Sequence, residues 1–285
     1  MARIRFHMAG GLTTEQLDRM HREGLRVLEE IGAEDTNDLL SALRLSQIYR
    51  QQRDFAKARE YALKATHLDP NNLEIQYNEV SLLEAEGKTS EAISRLKEIL
   101  VGMDKRPSST GEKANRAILL ERLGILYRMV EQTQNAVAAF KEITDVDPDS
   151  AARAYAQAID ALRAGKDFAA AEKETRAALQ KFPDDRILKS VAASVFTDLA
   201  HFKEAETLLK ALLDGKNDRD TWISLSQVYE KQKNFSDMAK ALDHAAELSK
   251  SDEEKENVYF MRGAMFERQK KFEQAEAEFR QTPWG

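Results

Sequence analysis

The stretch RDFAKA, residues 53–58, is restated four times further along the chain. It returns as KDFAAA at 166–171, AHFKEA at 200–205, KNFSDM at 233–238 and KKFEQA at 270–275. Each copy has a turn-like polar pair, an aromatic, and a residue three positions later that is alanine in four of the five copies. The aromatics Phe168, Phe202, Phe235 and Phe272 are spaced by 34, 33 and 37 residues. Phe55 joins the series through Thr89 and Thr133, in steps of 34, 44 and 35, and the long step contains RPSSTGEKAN, 106–115, an insertion. Self-similarity at such a period marks a chain built from stacked structural repeats.

Each repeat has two parts. The first carries apolar residues near helical spacing, as in Leu120, Leu123, Gly124 and Tyr127; after a short polar turn comes a triplet such as Ala136, Phe140 and Ile143. Matching triplets are Ala58/Ala62/Ala65, Ala92/Leu96/Ile99, Ala205/Leu209/Leu212 and Met238/Leu242/Ala245. Spacing of i, i+4, i+7 puts each triplet on one face of a helix. Small residues let two helices approach, and the aromatic wedges where they diverge, so each unit reads as a helix–turn–helix hairpin. Pro70, Pro148 and Pro183 follow second helices in LDPNN, VDPDS and FPDD. Proline cannot continue a helix, and the Asp or Asn beyond it can cap the next one. Pro107 falls in the insertion and Pro283 ends the last helix, while SDEE, Ser251 to Glu254, has capping-box spacing.

These features resemble the tetratricopeptide repeat, an antiparallel helix pair that stacks into a superhelix. Repeat three carries the signature best, at Leu120, Leu123, Gly124, Tyr127, Ala136, Phe140 and Pro148; repeat six carries it at Trp222, Leu225 and Tyr229. Seven units follow: 39–72, 73–106, 117–150, 152–185, 186–218, 219–252 and a truncated 256–285. Glu79 stands where a buried leucine is expected and Lys189 in the Trp position, so repeats two and five are expected to pack less well. The resemblance implies an all-α, right-handed superhelical α-solenoid. A single hairpin cannot bury its apolar face alone, so stacking neighbours supply the stability and leave an open, curved inner surface.

Residues 1–38 read as a tail and a capping helix. LTTEQLDRMHREGLRVLEEIG, 12–32, begins a helix near Thr13, with Thr13 and Gln16 at capping-box spacing and Gly32 as a natural C-cap. Gly24, Leu28 and Ile31 repeat the second-helix spacing, and Gly24 lies 34 residues before Ala58. RIRFHM, 3–8, alternates like an edge strand. An all-helical array offers it no partner, so a disordered tail is expected, with strand pairing in an oligomer as the rival. LRVLEEIG also resembles the N-terminus of trimethylamine-methyltransferase-like proteins, over about 30 residues. Nothing that follows resembles that family's catalytic barrel, and no methyltransferase residue is implied. Together with the abrupt ending FRQTPWG, it implies a rearranged or engineered fusion.

The bulk composition narrows the function. The net charge is 43 − 49 = −6, which argues against a general nucleic-acid binder. Zero cysteines exclude disulfides, thiolate catalysis and cysteine-ligated metals. No apolar run approaches the ~18–20 residues that span a bilayer, and MARIRFHMAGG has none of signal-peptide length. A cytoplasmic protein with no membrane partner is expected. His7, His21, His67, His201 and His244 are scattered without metal-ligand spacing, and His21 and His201 read as solvated turn residues. No phosphate-binding, dinucleotide-binding or nucleophile-elbow motif occurs. LEAEG and SDEEKE read as solvated helix ends rather than acid–base pairs. No catalytic residue, metal or cofactor is expected, and the chain does not read as an enzyme.

The resemblance places a ligand groove on the outward positions of the first helices. Projected onto this chain, those positions hold Arg44, Gln47, Arg50, Tyr77, Asn78, Arg122, Arg128, Arg153 and Arg163, with Gln157 among them. Arg50, Arg128 and Arg163 occupy equivalent places and should form a row. Arginine suits bidentate carboxylate recognition, which points to an acidic or carboxylate-bearing peptide. Glu74, Glu84, Glu121 and Asp160 share the surface. The competing expectation is that the arginines are solvated or paired with these carboxylates, each pair contributing about 0–1 kcal/mol.

The family's lysine/asparagine carboxylate clamp is matched only by Asn78 and Arg122, since Leu43, Gln47 and Ile118 stand at its other positions. Repeats five to seven instead present Ile187, Val191, Ile223, Phe260 and Met261, an apolar end suited to a helix, to hydrophobic side chains or to a second copy. The leading expectation is a non-enzymatic adaptor binding a partner peptide. Its rivals are a structural spacer or self-assembling fusion that oligomerises through its terminal repeats, and a regulatory array cut from a larger enzyme.

Overall fold

A computed structural model describes residues 14–104, 109–215 and 218–282. RIRFHM with its edge-strand pattern, His7, Pro107, Pro283 and the last three residues of FRQTPWG lie outside them. The described residues form helices and no strand. After α1 (Thr14–Glu34) come seven antiparallel pairs: α2 (Leu39–Gln51) with α3 (Phe55–Leu68), α4 (Leu73–Ala85) with α5 (Thr89–Met103), and α6 (Thr110–Met129) with α7 (Thr133–Val146). Then come α8 (Ala151–Ala164) with α9 (Phe168–Lys181), α10 (Arg186–Asp198) with α11 (Phe202–Lys210), α12 (Arg219–Lys231) with α13 (Phe235–Leu248), and α14 (Asp252–Arg268) with α15 (Phe272–Phe279). The chain divides into two compact units, Met1–Ser108 and Ser109–Gly285.

The polar pair of the restated stretch is the hinge of each hairpin. Its first residue is left-handed in all seven copies: Arg53, Glu131, Lys166, Ala200, Lys233 and Lys270 have φ of 58–62°, and Gly87 has 76°. In each, the next N–H reaches back five residues, as from Asp54 to the Tyr49 carbonyl at 2.9 Å and from Asn234 to Tyr229 at 2.8 Å. The left-handed residue itself bonds back three, as from Lys233 to Glu230 at 2.9 Å. This pattern is a Schellman cap, which satisfies the last carbonyls of the first helix while reversing the chain. The second residue of the pair caps the following helix where it is Asp or Asn: Asp54, Asp167 and Asn234 accept from Lys57, Ala170 and Asp237 N–H, each at 3.2 Å. The aromatic or threonine then takes the first helical position.

The second-helix triplets form the spine of the core. Ala58, Ala65, Ala92, Leu96, Ala136, Phe140, Ala205, Leu242 and Ala245 are almost wholly buried. Repeat four supplies Ala171, Thr175 and Ala178, all buried, and the Thr175 hydroxyl has no hydrogen-bond partner. Close packing uses glycine at two matched places. A Cβ on Gly124 would lie 2.5 Å from the Phe140 ring, and one on Gly263 would collide with the Phe279 ring.

In the first unit, Leu25 and Leu28 of α1 pack on Leu45, Tyr49, Ala58, Ala62 and Leu82, and the Tyr49 hydroxyl donates to Glu29. The helix thus leans on Leu25 and Leu28, and Ile31 of the expected triplet stays 41% exposed. Gly32 does not end α1: the helix runs on to Glu34, and the Asp35 carboxylate takes up the Asn37 N–H just beyond. Ser46 donates to the Ala58 carbonyl at 2.9 Å and accepts from Asn78 at 2.8 Å, which ties α2, α3 and α4 together. Glu79, in its leucine position, accepts from Thr66 at 2.6 Å and Arg95 at 2.8 Å.

In the second unit, α8 packs on α10 and α10 on α12, while α7, α9, α11 and α13 each pack on the next first helix. The insertion is partly helical. Ser109 and Glu112 form a capping box, and α6 starts at Thr110, so residues 110–115 are its opening turns. Asn72, Asp185 and Ser251 cap α4, α10 and α14 as their positions imply. Asp218 accepts N–H groups from Asp214 at 3.0 Å and Gly215 at 2.7 Å, and these bonds hold its carboxyl below the usual carboxylate range.

Stability measurements by urea denaturation test this account. A left-handed non-glycine residue costs roughly 1–2 kcal/mol, part of which glycine gives back as chain entropy. Lys233→Gly, at an exposed hinge, should therefore stabilise by about 1 kcal/mol, and Gly87→Ala should destabilise by about as much. Gly124→Ala should destabilise by about 1–3 kcal/mol through overpacking against Phe140, with Phe140→Leu as a second change restoring part of it. Thr175→Val should stabilise by about 1 kcal/mol, because it removes a buried hydroxyl without a partner.

Candidate interaction surface

The side chains singled out by sequence lie on the first helices, most of them half-buried or exposed. In the first unit, Arg44 donates to Gln47 at 2.6 Å and pairs with Glu74 at 3.5 Å. Tyr77 is half-buried on α4, while Asn78 is 3% exposed and turned into the packing, where its amide holds Ser46. Arg50 differs from the rest. No carboxylate among the described residues lies within ion-pair range of its guanidinium, and its Nε, like that of Arg163, is buried with no hydrogen-bond partner. Leu43, at a position where the clamp needs lysine, is buried in the core.

In the second unit the arginines meet carboxylates. Glu121 pairs with Arg153 at 3.2 Å and accepts from Gln157 at 2.6 Å. Asp160 sits between Arg128 at 2.9 Å and Arg163 at 3.9 Å, and Arg163 reaches on to Asp198 at 3.4 Å. Arg128 and Arg163, placed in one row by their spacing, thus share a carboxylate. Arg122, half-buried on α6, is also engaged. Asp198 escaped the sequence reading. It stands one residue beyond the place that Arg128 and Arg163 hold in their repeats, and matching columns rather than motifs would have found it. Arg128, Arg153 and Arg163 thus face Glu121, Asp160 and Asp198, three charges of each sign, and these half-exposed pairs are worth about 0–1 kcal/mol each.

The apolar end is open to solvent. Ile187 is 54% and Phe260 59% exposed, with Val191, Ile223 and Met261 half-buried. Among the histidines, His201 stands at the hinge before α11, near Glu172 at 3.6 Å and Glu204 at 3.8 Å. His21 lies inside α1 rather than in a turn, because the helix begins earlier than a hairpin turn there would allow. Among the described residues no group of three or more His, Asp or Glu could hold a metal ion, and no helix is long and apolar enough to cross a membrane.

Asp160→Asn tests the neutralised row. It should change stability by less than about 1 kcal/mol, while freeing Arg128 to bind labelled hexaglutamate; Arg163 keeps Asp198. Fluorescence polarisation at low and high salt should show salt-sensitive binding that rises over the unsubstituted protein.

Comparison with known proteins agrees with this geometry. The tetratricopeptide repeat family model matches residues 41–72. A tetratricopeptide repeat protein from Parabacteroides merdae ATCC 43184 superposes with a TM-score of 0.61 at 17% identity, over 85% of this chain and 91% of that one. BtubC from P. vanneervenii gives 0.52 at 16% identity, over 70% of this chain and 89% of that one. Yeast Tom70 gives 0.51 at 16% identity, over 93% of this chain and 55% of that one. Likeness at these identities is likeness of fold, and the fold is the tetratricopeptide-repeat α-solenoid. None of these matches extends the methyltransferase-like reading of residues 1–32, and no curated protein matches the sequence.

Proposed function

We propose that the chain is a non-enzymatic scaffold for protein–protein interaction, holding a segment of a partner protein against the solvent-facing sides of its first helices. The observation that carries this reading is a set of side chains that the fold leaves largely exposed or without a counter-charge, even where one of them, Phe260, also touches Phe279. Arg50 lacks an ion-pair partner among the described residues, and Ile187 and Phe260 expose more than half their surface. A solenoid of hairpins commits one face of each helix to its neighbours and leaves the other available. In the first unit, Arg50, with Gln47 and Tyr77 on the same side, takes an acidic residue of the ligand. In the second unit the arginines are spent on carboxylates, so the contact there is apolar, through Ile187, Val191, Ile223, Phe260 and Met261.

Random-peptide display against the purified chain, washed at low and high salt, tests the proposal. Enrichment of peptides with an acidic residue is expected, and Arg50→Ala should weaken them about tenfold, or 1.4 kcal/mol, while leaving the unfolding midpoint unchanged. No enrichment from a folded sample would favour the spacer or self-assembling reading, which a mass in solution above that of the monomer would support.

A further inference from the structure

Repeat five is built differently from its neighbours. α11 runs nine residues where α9 and α13 run fourteen, so it lacks more than one turn. Beyond Lys210, Leu212 and Leu213 bond back three residues at 3.0 and 3.2 Å, and the chain leaves through Gly215 at φ 79°. Arg186, the first residue of α10, closes this early end: it donates to the Leu212 carbonyl at 2.9 Å and pairs with Asp214 at 3.1 Å. Here the first turns of α10 and α12 border a cavity of about 310 Å³.

The lining of this cavity has a definite chemistry. Leu209 and Leu212, both buried, are apolar members of it, joined by Ile187 and Val191 of α10. Ser190, Thr221 and Ser224 add small hydroxyl side chains, and the Ser224 hydroxyl is already donated to the Asp220 carbonyl at 2.9 Å. Both charged members are compensated, Arg186 by Asp214 and Asp220 by Arg219 at 2.9 Å. A charged ligand group entering would lose its hydration without gaining a free counter-charge. An uncharged group would cover the exposed Ile187 and gain by burial.

We infer that this cavity is a side-chain pocket for a large uncharged residue, aromatic or leucine-like, of a partner segment. It relies on the scaffold reading only for the source of that side chain. Buried apolar anchors seated in such pockets carry most of the affinity of protein interfaces.

The test uses the full chain with labelled methyl groups, observed by NMR, and two probes, N-acetyl-tryptophanamide and N-acetyl-aspartamide. The tryptophan probe should give saturable shifts at the Ile187, Val191, Leu209 and Leu212 methyls, and the aspartate probe none. Ser224→Trp, which fills the space, should weaken the tryptophan probe at least about tenfold. Ile187→Asp, at an exposed wall position that leaves folding intact, should do the same. Absence of saturation, equal response to both probes, or undiminished binding in a folded Ile187→Asp variant would overturn the pocket. Display peptides that bind well to Ile187→Asp would overturn it too while leaving the scaffold standing. Saturation by the tryptophan probe without any display binder would overturn the scaffold and leave the pocket.

Discussion

Each hairpin of this protein depends on one residue held at positive φ between its two helices. An L-amino acid resists that conformation, yet six of the seven hinges use a non-glycine residue. The cost is tolerated because the hinge satisfies the end of one helix and starts the next within two residues. The five-residue return bond fixes where the first helix stops, and the Asp or Asn that follows fixes where the second begins. The reversal brings the small side chains of the second-helix triplets against the first helix. Everything packed in the core rests on that geometry.

The same geometry divides the surface. Residues three positions before the hinge, Arg50, Arg128 and Arg163 among them, stay outside the core on successive first helices, while those four positions before it, such as Tyr49 and Leu162, are buried. A column of equivalent positions therefore becomes a physical neighbourhood within a unit, as the shared Asp160 of Arg128 and Arg163 shows. Neighbourhood cuts both ways. It lines up arginines that could meet an acidic ligand, and it lines up carboxylates that meet them first. The second unit resolved this in favour of internal pairing, leaving apolar side chains as its unspent surface.

Irregularity, rather than repetition, creates the individual features. Glu79 keeps a charge in a leucine position only because Thr66 and Arg95 answer it. The short α11 breaks the even stacking, and Arg186 together with Asp218 stabilises the resulting loop. Such departures are where one array of hairpins differs from another with the same fold.

The hairpin pattern and its core faces were legible in the sequence. Period, triplet spacing and proline punctuation all express local helix physics, and the buried Ala58, Leu96, Phe140 and Leu242 lie where spacing put them. It also named the side chains of the first-helix surface. Which of those remain available was decided only by tertiary structure, because pairing depends on distances between residues about 30 positions apart, as between Arg44 and Glu74 or Arg163 and Asp198. The start of α6 inside the apparent insertion was written in Ser109 and Glu112, which have the capping-box spacing also found at Ser251 and Glu254, but the long step in the repeat hid it. The cavity beside α11 was out of reach, since a missing helical turn has no motif and shows only when its neighbours are in place.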